Sequence, residues 1–141
     1  MRILSIEDEK NDREVFKLAI KHANEKHEFA EDAVIDFAVN IKEALYLLRN
    51  KNYDVVVTDL RLPDSQGIET IKSIRREVKY PIVIISGSYL KGVLDECLKE
   101  GAARYITKGN PWTTSIAKTI KEVIREDFLV KKIRGMADAR Q

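Results

Sequence analysis

Short apolar runs alternate along the chain with longer stretches in which apolar residues return every third or fourth position. The runs are RILSI (2–6), AVIDFAV (33–39), YDVVVTD (53–59), PIVIIS (81–86) and RYIT (104–107). Their branched side chains suit a pleated sheet. VVV at 55–57 and IVII at 82–85 show little polar alternation, as expected of strands covered on both faces. Between the runs, a helical period predicts five helices. The first spans about Asp12 to Lys26 and is entered through the capping-box spacing Asn11 to Glu14; the second is entered through Asn40 to Glu43. The third covers about 66–78, past a turn at Pro63, and a short fourth lies near 89–99. A long fifth starts close to Pro111 with Asn110 as its cap. Five strands alternating with five helices predict an α/β fold, a doubly wound five-stranded parallel sheet in a three-layer sandwich.

In open sheets of this kind, sites form beyond the carboxyl ends of the strands. Those ends carry Glu7 and Asp8 after the first run, Asp59 after the third, Ser86 at the fourth and Lys108 after the fifth. The end of the second, near Asn40, carries nothing comparable. Carboxylates drawn together repel one another and resist desolvation, a cost that a hard divalent cation removes. Three acids suit a Mg²⁺ that keeps some of its water; His22 and His27 belong to the first helix or its end, so zinc is not expected. Lys108 adds a point cation, Ser86 a short hydroxyl, and Gly87 a backbone N–H open to close approach. Acid, metal, ammonium, hydroxyl and N–H are the parts that phosphoryl transfer needs. Asp59, central on the most buried strand, is the expected nucleophile.

Composition narrows the classes further. A chain of 141 residues, 44% hydrophobic and 34% charged, is sized for one globular domain, and its apolar runs are too short to span a membrane. No signal-like segment follows Met1, and the lone Cys97 excludes a disulfide framework, so a cytoplasmic location is expected. The net charge of +2 is too small to argue for nucleic acid. Residues 118–141 hold seven Lys/Arg against four acids, which fits a basic helix end.

LSIEDE (4–9), VVVTDLRLPDSQGIE (55–69), IISG (84–87) and GAARYITKG (101–109) occur in this order at these strand ends. Together they resemble the receiver domain of two-component response regulators, of stand-alone type, over residues 1 to about 125. The resemblance implies a flavodoxin-like sheet of order 2-1-3-4-5. It implies that Asp8 ligates Mg²⁺ directly, Glu7 through water, and Asp59 and the main-chain carbonyl of Arg61 directly. Asp59 would then be phosphorylated by a sensor histidine kinase or phosphotransfer protein, with Ser86, Lys108 and the Gly87 N–H contacting the phosphoryl oxygens. Ser86 and Tyr105 would form the switch that remodels the face bound by a downstream protein. Such a chain is chiefly a signalling protein that catalyses its own phosphorylation and dephosphorylation. Three features depart from the family pattern. Gly109 follows Lys108 where proline is usual. The stretch from Asp8 to Asp59 exceeds the usual family spacing by a few residues, with the excess placed around 21–32. Arg61 and Ser88 occupy the positions that tune water attack on the phosphoaspartate.

The end of the chain is unlike an ordinary receiver. Ile116, Ile120, Ile124 and Phe128, then Leu129, Ile133 and Ala137, continue an apolar stripe past residue 125. Residues 126–141 are therefore read as an extension of the last helix, fraying near Gly135. It would pair with another subunit as a homodimer, fold back, or lead to a further module. Tyr89, Trp112, Phe128 and Ile133 are the candidate interface residues. The alternatives to phosphorylation-dependent signalling are a phosphorylation-independent protein-binding module, an intermediate phosphocarrier in a phosphorelay, and a basic-tail nucleic-acid binder.

Overall fold

The computed structural model describes residues 1–87, 89–109 and 112–139. Among the described residues seven strands occur: β1 (Arg2–Ile6), β2 (Val34–Ala38), β3 (Val55–Thr58), β4 (Arg61–Leu62), β5 (Ser65–Gln66), β6 (Ile82–Ser86) and β7 (Arg104–Thr107). The helices are α1 (Lys10–Glu25), α2 (Ile41–Asn50), α3 (Ile68–Glu77), α4 (Lys91–Lys99) and α5 (Trp112–Ala139). The five long strands form one parallel sheet of order β2-β1-β3-β6-β7. Skipping the small β4–β5 hairpin, this is the expected 2-1-3-4-5 arrangement.

Alternation along the inner strands builds two cores. Leu4, Ile6, Val56, Ile82 and Ile84 face one side and pack with Leu48, Ile71, Ile74 and Leu94 of α2, α3 and α4. Ile3, Val55, Val57, Val83 and Ile85 face the other and meet Phe16, Ile20, Ile116 and Ile120 of α1 and α5. Burial on both faces explains the unbroken valine and isoleucine runs. No described helix is long and apolar enough to cross a membrane.

The strand positions follow the apolar runs closely, while several helix starts differ. The expected cap at Asn11 is not used: α1 starts at Lys10 behind Glu9, which makes no side-chain capping bond. The helix is entered early because Arg13 N–H donates to Glu9 O (3.0 Å) and the Arg13 guanidinium to Glu7 O (3.0 Å). The second cap is present, with Asn40 Oδ1 accepting from Glu43 N at 2.8 Å. The loop between α1 and β2 is closed by Asn24, which bonds both Ala33 N and Ala33 O. The proposed Asn110 cap lies outside the described residues. At the far end α5 passes through Gly135 without a break.

The third helix starts at Ile68, later than the pattern suggests, because residues 61–66 form the β4–β5 hairpin. Gly67 joins hairpin to helix at φ 59°, ψ −135°, a backbone region open in practice to glycine alone. An added Cβ would find its nearest neighbour, in Tyr89, at 3.7 Å, so the penalty is conformational. Gly67→Ala is expected to lower the unfolding free energy by about 1–3 kcal/mol. A urea titration reads this as a lower midpoint with unchanged slope.

Candidate functional site

Three parallel ladders end together and aim their last side chains at one cleft. Asp59 N donates to Ile6 O (3.1 Å), Glu7 N to Ala38 O (2.9 Å) and Lys108 N to Ser86 O (2.8 Å). Each bond fixes the backbone at the residue whose side chain enters the site. Lys108 Nζ reaches across to Glu7 Oε1 at 2.6 Å, Asp12 Oδ2 at 2.7 Å and Asp59 Oδ2 at 2.8 Å. The other oxygen of Asp59 accepts from Arg61 N at 3.1 Å, so the loop beginning at β4 orients the carboxylate.

Burial governs the protonation balance. Glu7 is pushed up to about 7 by its removal from water, with the Lys108 ammonium pulling it only part of the way back. Burial alone would lower the Lys108 pKa, but its bonds to Asp12, Asp59 and Glu7 outweigh that and hold it above the ordinary lysine value. The site therefore keeps a permanent cation among acids.

Glu7, Asp8 and Asp59 each offer a carboxylate oxygen, and these atoms lie within 4.8 Å of one another. An all-oxygen anionic donor set fits a hard divalent ion such as Mg²⁺. Lys108 holds two of the same carboxylates, and the cleft between Glu7, Asp12, Asp59, Lys108 and Trp112 retains only about 20 Å³. That is room for about one water, on the Asp12 and Trp112 side of the cluster; Asp8 does not line it.

Ser86, at the end of β6 beside β3, is 2% exposed. Its hydroxyl makes no hydrogen bond among the described residues. Buried hydroxyls are nearly always paired, which sets this one apart. Gly87 is exposed and a Cβ there would sit 3.7 Å from Lys108 Cδ. Tyr105, in register with Ile84, is half-buried against the core on the α3–α4 side.

The residues expected at an interface divide into two groups. Trp112 is half-buried and lines the cleft. Tyr89 donates to Leu60 O at 3.4 Å and stacks under the Arg61 guanidinium at 5.6 Å, over the loop that follows Asp59. Both border the site. Phe128 and Ile133, by contrast, stand exposed on the last turns of α5.

Asp12 is the site residue that the sequence reading passed over. It lies one helical turn after Asp8, in the first turn of α1, where an acid is also favoured by the helix dipole. The Asp8–Asp12 spacing was the available signal: a helix starting directly after the acidic pair brings the fourth residue back beside it.

The family model for the response regulator receiver domain matches residues 3–121. A CheY homolog from Campylobacter jejuni, a chemotaxis protein, is 27% identical over 121 residues, covering 84% of this chain and 87% of that protein. A protein-glutamate methylesterase/protein-glutamine glutaminase from Treponema denticola is 32% identical over 99 residues, 68% of this chain. The match spans only 27% of that longer protein. Among solved structures, the receiver domain of a Pseudomonas aeruginosa sensor histidine kinase, with magnesium coordinated in its active-site cleft, superposes with a TM-score of 0.71. It is 20% identical, and the match covers 87% of this chain and 96% of that one.

Proposed function

The chain belongs to the response regulator receiver domain family, and on that premise we propose that Asp59 accepts a phosphoryl group from the phosphohistidine of a sensor histidine kinase or phosphotransfer protein. The observation that carries this reading is the convergence of Glu7, Asp59 and Lys108 from three strand ends on one cleft. Asp59 Oδ attacks phosphorus; the new O–P bond forms as the N–P bond breaks, and its electron pair stays on the donor imidazole. Glu7, Asp8, Asp59 and the Arg61 carbonyl would hold Mg²⁺, which supplies charge neutralisation for the phosphoryl oxygens. Lys108 moves from the carboxylates to an equatorial oxygen, and the unpaired Ser86 hydroxyl and the Gly87 N–H take others.

Drawing Ser86 toward phosphate frees space on the side of the sheet where Tyr105 sits. The inward turn of Tyr105 then changes the face offered to a downstream protein, a shift between two packings biased by one covalent group.

The test is incubation with a small acyl phosphate and Mg²⁺, followed by intact-mass measurement. One phosphoryl adduct is expected, lost in alkali, mapping to the peptide that holds Asp59 and absent when Mg²⁺ is chelated. A folded chain that takes no adduct, or takes it elsewhere, overturns the reading.

A further inference from the structure

Val123 is the last buried residue described on α5, and beyond it large apolar side chains continue without the domain body to cover them. Leu129 is 44% exposed, Val130 46%, Ile133 64% and Met136 56%. Their three- and four-residue spacing places them on one helix face, with Val130 and Ile133 central and Leu129 and Met136 along one edge. Along the opposite edge, at the same seven-residue spacing, stand Asp127 and Arg134. An acid and a base, two turns apart, thus border an apolar strip.

We propose that this strip joins two copies of the chain through an antiparallel, two-fold pairing of their α5 extensions over residues 127–136. In a two-fold contact one patch meets itself. Setting Val130 across from the partner's Ile133 also sets Leu129 against the partner's Met136 and Asp127 against the partner's Arg134, and the symmetry repeats each pair. Parallel pairing in the same heptad frame brings Glu122 beside the partner's Asp127 and Leu129 beside the partner's Arg134. The first repels and the second strands a cation on an apolar side chain, so charge selects the antiparallel direction.

The neighbouring ion pairs are compatible with this. Glu126, seven residues before Ile133 and so on the same line of the helix, is held by Arg104 of β7 at 2.5 Å, which ties this position to the sheet edge and leaves the apolar strip to begin at Leu129. Asp127 meets Lys131 at 2.8 Å within α5, a surface pair of the kind that exchanges readily for a better partner. The pairing is independent of phosphoryl transfer at Asp59.

Sedimentation equilibrium of the full chain over a concentration series tests the proposal. The native chain is expected to form dimers, and Ile133→Asp to stay monomeric while keeping the circular dichroism of the folded domain. Asp127→Arg and Arg134→Asp are each expected to weaken association about tenfold or more, with the double variant restored toward native. A native chain that stays monomeric, or an Ile133→Asp chain that still dimerises, overturns the pairing. Single charge reversals that their combination does not rescue overturn the antiparallel register.

Discussion

Asp59→Asn is expected to abolish phosphoryl acceptance while leaving the fold standing. The amide keeps the size of the carboxylate but lacks the anionic oxygen that forms the bond to phosphorus. It also removes one of the three acids whose oxygens lie within 4.8 Å of one another, so the stabilisation given by Mg²⁺ should shrink. Two opposing effects limit the change in stability without metal. Removing a charge relieves repulsion from Glu7 and Asp8. Yet Asp59 accepts from both Arg61 N and Lys108 Nζ, one on each oxygen, and an amide has a single acceptor to offer. The net change should fall within about 1 kcal/mol. Intact mass after acyl phosphate treatment, beside a thermal melt, checks both halves. An adduct at the native rate on Asp59→Asn would move the nucleophile to another residue.

Those acids were readable in the sequence because the sheet is a one-dimensional code. Val55 to Val57 must be buried on both faces, which fixes where β3 runs and leaves Asp59 as the first residue past its end. The same reasoning placed Glu7, Ser86 and Lys108. It did not reach Asp12, whose role depends on where α1 begins. Reading Asn11 as the cap made Asp12 the first helical residue, whereas the real start at Lys10 sets it one turn behind Asp8. The hairpin at 61–66 was also illegible. Its two short strands carry no apolar alternation, and what closes it is a pair of single bonds to its flanks: Ser65 shares its hydroxyl with Thr70 at 2.8 Å, and Gly67 N–H reaches Leu60 O at 2.9 Å. Long periodic elements announce themselves; short turns held by one or two specific polar contacts do not.

Lys108→Met should turn the site from a cluster bridged by its own cation into one that depends on metal. Methionine keeps much of the unbranched stem beside Gly87, so the main loss is the ammonium bonded to Glu7, Asp12 and Asp59. Breaking a buried ion cluster by removing its cation is costly, and partial solvent access at Asp12, 34% exposed, moderates this. Without metal at pH 8, a loss of about 2–3 kcal/mol is expected. The contribution of Lys108 is itself steady across the usual range. Its folded pKa is raised, so it is fully present below the unfolded lysine value and fades only in strong alkali.

The pH dependence comes from Glu7. Its folded pKa, about 7, lies above the unfolded 4.5, so its favourable contribution is full below 4.5 and is lost as pH rises through 7. Removing Lys108 strengthens proton binding at Glu7 and carries that window to higher pH. The deficit of Lys108→Met should therefore be larger at pH 8 than at pH 6. Mg²⁺ no longer competes with an ammonium for Glu7 and Asp59, so saturating Mg²⁺ should raise the melting temperature of the variant more than that of the native chain. Thermal melts at both pH values, with and without Mg²⁺, measure all of this. A variant as stable as native at pH 8 without metal would mean that the three short contacts to Lys108 carry no net energy.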